Sequence, residues 1–184
     1  MSMRQLVSSV FILLGILWGA ESAYGSSKKE TFEDVNLENK LLRVLSCGGG
    51  WGAQVLMQAG ALEALRHTTK KPIHECFDIV TGVNMGGLLA TFVAMKVPMP
   101  DILRFFALNA TELYSGPKTL SHMRKVLLRY IKPEKKLGDV SNRLFLFCMS
   151  KAGLMTFDSH AVSQKDLNLL DILVASMAMP GIYP

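Results

Sequence analysis

Phe77-Asp78-Ile79-Val80-Thr81-Gly82-Val83-Asn84-Met85-Gly86-Gly87-Leu88 decides how this chain is read. Phe77 to Thr81 is a short apolar run bounded by a glycine, the mark of a buried strand. Gly82 to Gly87 is too glycine-rich for a regular element and predicts a sharp turn. Leu88 to Lys96 is apolar and helical in pattern until Pro98 and Pro100 stop it. Glycines two before and two after a central residue, between strand and helix, make the geometry of a nucleophile elbow. The turn is tight, strand and helix crowd it, and the central side chain is thrust outward. Hydrolases place serine there. This chain has Asn84. Asparagine tolerates the left-handed backbone such a turn needs, but a carboxamide is not an acyl-accepting nucleophile.

Upstream, Leu41 to Leu45 predicts another buried strand, running into Ser46-Cys47-Gly48-Gly49-Gly50-Trp51-Gly52. Val55, Leu56, Ala59, Leu62 and Leu65 then recur at helical spacing, so Gln54 to Thr68 is expected to be a helix. Pro72 ends that connection. Gly48, Gly49 and Gly50 expose successive backbone N–H groups beside a helix start, which suits an anion or a developing oxyanion. No Gly-Lys-Ser/Thr follows as a Walker loop requires, and the dinucleotide-binding glycine pattern is not met.

Downstream, Asp101 to Asn109 and Ser121 to Ile131 are expected as helices, with Asp101 and Ser121 as their caps. Arg143 to Met149 is a strongly apolar strand. Ala152-Gly153 is a turn from which Leu154 to Phe157 pairs back, and Leu167 to Met177 is a last helix. Short buried strands alternating with amphipathic helices predict an α/β fold, a layered sandwich with a largely parallel sheet. Sites in such sheets gather at the carboxyl ends of strands. Both glycine loops fall at such ends and are expected to face one crevice.

Of the 184 residues, 49% are hydrophobic and 19% charged, which excludes a disordered or low-complexity chain. The start reads as an export signal over residues 1–25: Arg4 is basic, Leu6 to Ala20 is apolar, and small residues lead to cleavage after Gly25. That run is short of the ~20 residues of a spanning helix. A secreted or periplasmic location is therefore expected, with a membrane anchor as the alternative. Residues 26–40 (Lys28, Lys29, Glu30, Glu33 and Asp34 among them) read as a flexible lead-in, and 41–184 as the folded domain. Cys47, Cys76 and Cys148 lack disulfide-framework spacing and are expected as buried free thiols. The four histidines are scattered, none at ligand spacing from a cysteine, so no metal site is expected.

The +5 net charge is concentrated. Lys118, Arg124, Lys125, Arg129, Lys132, Lys135 and Lys136 face only Glu134 in residues 118–136. That stretch reads either as a solvated face or as a surface for anionic lipid, where each basic residue contributes about 1 kcal/mol. Nucleic acid is not expected, because Tyr130 alone offers a stacking ring.

Three stretches together resemble the patatin-like phospholipases across Leu41 to Pro184. Leu45-Ser46-Cys47-Gly48-Gly49-Gly50-Trp51-Gly52-Ala53 is similar to that family's glycine-rich D-G-G-G-x-R-G loop. Gly82 to Gly87 is similar to its G-x-S-x-G elbow, and Ala175-Ser176-Met177-Ala178-Met179-Pro180-Gly181-Ile182-Tyr183-Pro184 to its A-S-x-A-x-P-x-x-F-P stretch. Leu137-Gly138-Asp139 and Arg143 to Ser150 also look alike. The resemblance implies a three-layer patatin-like sandwich and a Ser-Asp dyad that cleaves lipid acyl esters with no metal and no other cofactor. It implies an elbow built on Gly82, Gly86 and Gly87, an oxyanion or anion site at Gly48, Gly49 and Gly50, and Asn84 at the nucleophile position, not itself competent.

The departures set a further expectation. Asn84 replaces the serine, Gly52 the loop's basic residue and Cys47 its leading acid. The family's aspartate lies in a D-G-G/A stretch beyond the third segment, and the sequence stops at Pro184, so a C-terminally truncated, poorly soluble domain without hydrolase activity is expected. What oxyanion and binding contacts retain alone is roughly 10³–10⁴-fold over water in serine hydrolases. Cys47 is a poor substitute nucleophile, since it precedes the glycines instead of crowning the turn. Asn84 could donate to an oxyanion but has no nucleophile to serve. The alternatives are a fragment or Ser-to-Asn variant of an active lipid acyl hydrolase, or a lipid-surface or partner-binding module using residues 118–136.

Overall fold

In the computed structural model, strand β1 (Val44–Cys47) leads into helix α1 (Ala53–Thr69), and a short helix α2 (Ile73–Cys76) precedes β2 (Ile79–Val83). Helices α3 (Asn84–Ala94), α4 (Met99–Ser115) and α5 (Leu120–Leu127) follow, then a 3-10 turn at Leu137–Asp139. β3 (Arg143–Ser150), β4 (Gly153–Asp158) and α6 (Leu169–Met177) complete the order. The structure describes residues 42–50, 53–115, 119–150 and 153–178. The expected export signal and lead-in, and also Leu41, Trp51, Gly52, Lys118 and the last six residues of the third stretch, lie outside them.

The strands form one sheet in the order β1-β2-β3-β4. β1, β2 and β3 are parallel, with Leu45 opposite Val80 and Val80 opposite Leu144. β4 pairs back on β3 antiparallel, with Leu146 opposite Phe157. This is the largely parallel α/β architecture expected. Leu45, Cys47, Val80, Leu144, Leu146 and Cys148 alternate onto one buried face. Val44, Ser46 and Met149 on the other face are exposed, and Thr81, Val83, Phe145 and Phe147 are intermediate. Right-handed crossovers between strands laid down in chain order carry their helices to the same side of a sheet. Helices α3 and α6 pack directly on the sheet.

Helix α3 is the centre of that packing. Met85 to Ala94 are all buried, so the helix is apolar all round, as a helix enclosed by sheet and other helices must be. It lies against β2 and its neighbours and against α6. Its far end is fixed by aromatic edges: Phe92 meets Phe105 of α4 at 4.9 Å, and Phe105 meets Tyr130 at 4.5 Å. Buried Asn109 is satisfied there, donating to the Phe105 carbonyl at 2.8 Å and to Tyr130 Oη at 3.0 Å.

Several expected boundaries are corrected. β1 runs to Cys47 rather than ending at Leu45, and Leu42 and Arg43 precede it. α3 begins at Asn84, not Leu88, because its glycines permit close packing and do not break the helix. Asp101 lies in the first turn of α4 and is not its cap. Thr119, not Ser121, caps α5, accepting the His122 N–H at 3.2 Å. Cys47 and Cys148 are buried free thiols as expected, whereas Cys76 is free but only half-buried.

Candidate functional site

The site is assembled from three stretches far apart in sequence. β2 ends at Val83 in extended conformation, and the next residue, Asn84, turns to φ +54° and begins α3. No loop separates strand from helix. Such an abrupt reversal forces the left-handed region on one residue, and asparagine bears it better than a branched or bulky residue.

Glycine is required where the reversal presses backbone on backbone. A Cβ on Gly82 would stand 2.6 Å from the Gly86 carbonyl carbon and 2.7 Å from the Gly87 nitrogen. A Cβ on Gly86 would stand 2.5 Å from the Cys47 carbonyl oxygen and would also meet the Gly48 oxygen. Gly87 packs on the Leu146 side chain, 3.2 Å from such an atom. The first turn of α3 is thus seated directly on the backbone that leaves β1.

The same contacts place the triple glycine. A Cβ on Gly49 would lie 3.1 Å from Val83 Cγ1 and 3.4 Å from Asn84 Cβ. Gln58 of α1 donates from Nε2 to the Gly48 oxygen at 3.1 Å, tying the loop to its following helix. Gly50 turns towards Gln54. Gly48 and Gly49 therefore meet Val83, Asn84 and Gly86, so the triple-glycine loop lies directly against the elbow. None of Gly48, Gly49 and Gly50 needs a positive φ; among the described glycines only Gly153 has one. Their smallness allows the approach.

The third stretch arrives through α6. Ser176, buried near the end of that helix, accepts the Asn84 N–H on Oγ at 3.0 Å and donates to the Phe147 oxygen of β3 at 2.6 Å. The sequence pattern puts Ser176 in a motif without giving it a role and does not single out Gln58. Nothing local distinguishes either residue, since each acts on a partner 10 or 92 positions away.

Chemically, the elbow presents an amide. Asn84 Oδ1 accepts the Met85 N–H at 2.7 Å. In elbow hydrolases the N–H after the nucleophile is an oxyanion donor; here the side chain of the preceding residue occupies it. Asn84 Nδ2 has no hydrogen-bond partner among the described residues. Cys47 points into the core beneath the loop, and burial pushes its thiol up to about 12, so it holds almost no thiolate at neutral pH. Burial also raises the Cys148 thiol, with the neighbouring Ser176 side chain opposing it.

The basic stretch is partly neutralised within the chain. Arg124 pairs with Asp171, Arg129 grips Glu112 with two bonds of 2.7 and 2.9 Å, and Lys136 meets Asp166 at 2.8 Å. Arg129 holds the Glu112 carboxyl below its ordinary range. A separate surface hollow of about 590 Å³, lined by Phe92, Val97, Arg104 and Tyr130 among others, lies by the far end of α3 from Asn84. Neither the elbow nor the triple glycine lines it. No described helix is long and apolar enough to cross a membrane.

Among solved structures, the chain is similar to the crystal structure of the type III effector protein ExoU, at 14% identity and a TM-score of 0.48. The match covers 77% of this chain and 41% of that one, so this chain spans less than half of the effector's length. No curated protein matches it. The family model for patatin-like phospholipase matches residues 44–184, from the first residue of β1 through both glycine loops and the Ser176 stretch. This chain, with its elbow at Asn84, belongs to the patatin-like phospholipase family.

Proposed function

We propose that this chain is a patatin-like domain that keeps a crevice for lipid acyl esters and does not hydrolyse them. One observation carries the reading: the residue at the left-handed elbow, where the family's serine stands, is Asn84. An amide nitrogen has no lone pair free for attack on a carbonyl, because it is delocalised into its own C=O. The nearby Cys47 does not rescue the chemistry, since its thiol is buried and protonated. What remains is a shaped contact between two glycine loops, able to bind without turning over.

Export through residues 1–25 and contact with anionic lipid through residues 118–136 belong to the same proposal. Lys132, which has no ion pair among the described residues, supports the second, while the three internal pairs reduce the charge available to it. The purified chain, offered a fluorogenic acyl ester, is expected to give no turnover above buffer. Liposome flotation is expected to show binding that weakens with salt if the basic stretch contributes. Flotation unchanged by salt removes that surface from the proposal.

A further inference from the structure

We infer that Asn84 is a ligand-contact residue whose Nδ2 hydrogens are given to an acyl oxygen, so that the elbow recognises the carbonyl it no longer attacks. This rests on the binding reading above and deepens it. An asparagine amide normally has two orientations, differing by exchange of oxygen and nitrogen. At this elbow only one is satisfied. Oδ1 must face the Met85 N–H, which it accepts at 2.7 Å. The reverse orientation would set an NH₂ donor against an N–H donor. With Oδ1 fixed, Nδ2 carries two hydrogens and no partner among the described residues.

The other hydrogen-bonding groups of the elbow are already paired. The Asn84 N–H is committed to Ser176, and the Ser176 hydroxyl to the Phe147 oxygen. Gly49 packs against the Cβ of Asn84, 3.4 Å from where a Cβ of its own would be, so the side chain is held between the loops. A half-buried donor with no protein acceptor, next to a glycine loop, is matched by a ligand that offers oxygen lone pairs. An ester carbonyl or a fatty-acid carboxylate offers these; an ether-linked lipid lacks the carbonyl.

The test compares a short-chain phosphatidylcholine ester with its ether-linked counterpart, measuring binding of each to the native chain and to Asn84→Asp. Aspartate keeps an oxygen for the Met85 N–H and tolerates the left-handed backbone, but has no donor. Amide exchange at Met85 confirms that the cap survives. The native chain is expected to prefer the ester by about three- to tenfold, the range of one hydrogen bond, and Asn84→Asp to lose that preference. A short-chain fatty acid, run in parallel, shows whether the carboxylate is taken as well as the ester. Ester binding with no preference over the ether, or a preference kept by Asn84→Asp, overturns the role of Asn84 and leaves the binding reading standing. Absence of binding to every lipid overturns both.

Discussion

The backbone N–H of Asn84 and the hydroxyl of Ser176 lie 92 residues apart in sequence and 3.0 Å apart in space. Ser176 passes the connection on to the Phe147 oxygen at 2.6 Å, so one buried hydroxyl joins elbow, last helix and central sheet. Ser176→Ala is expected to leave a donor and an acceptor unpaired and to cost about 1–3 kcal/mol, read as a lower urea midpoint. An unchanged midpoint would show that the bridge is not holding the elbow.

Two glycine-to-alanine changes are expected to move stability in opposite directions. Gly86→Ala drives a methyl into the Cys47 and Gly48 backbone, which cannot yield as a side-chain tip can. It should cost at least the ~1–3 kcal/mol typical of overpacking. Gly60 sits exposed within α1 with nothing near its would-be Cβ, so Gly60→Ala should gain about 0.5–1 kcal/mol from helix propensity. Thermal melts of the two variants decide it; equal shifts would mean that the loops do not touch as described.

The Arg143–Asp158 pair predicts an acid-sensitive sheet edge. Burial alone would raise the Asp158 carboxyl. The Arg143 guanidinium, at 2.6 and 3.2 Å, and the His160 N–H overcome that and hold it below its ordinary value. A depressed carboxyl contributes stability that is fully present above the unfolded value of about 3.9 and is lost as pH falls through the lower folded value. Asp158→Asn should therefore destabilise the chain by about 1–3 kcal/mol at pH 7, with the difference from the native chain shrinking towards pH 3. Urea titrations at both pH values measure it, and a difference independent of pH would refute the assignment.

Cys47 should behave as part of the core. With its thiol pushed up to about 12, the native chain at pH 8 should leave Cys47 unalkylated by iodoacetamide, while the denatured chain reacts fully. Peptide mass spectrometry distinguishes the states. Rapid labelling of Cys47 in the folded chain would reopen it as a nucleophile.

The parallel sheet and the elbow were legible in the sequence because both depend on local pattern. Apolar runs such as Phe145 to Met149 and the glycines around Asn84 announce strand and turn before any long-range contact is known. The meeting of the two loops was foreseeable from their places at strand ends; the seat of Gly86 on Cys47 and Gly48 gives it form. Less local features were not legible. The sequence pattern puts the start of α3 four residues late, since glycine weakens a helix in isolation but is needed where helix meets strand backbone. Thr119 and Ser121 are equivalent cap candidates by type, and only the backbone turn selects the first. Helix α2, with four residues, is too short to show periodicity.

The most direct measurement is acyl-ester turnover by the purified chain, followed with a fluorogenic ester alongside a serine-reactive phosphonate. Because the elbow presents the Asn84 amide, the expected result is a rate equal to buffer and no phosphonate adduct on the protein. Turnover above buffer that the phosphonate abolishes would show a working nucleophile in this crevice and contradict the account.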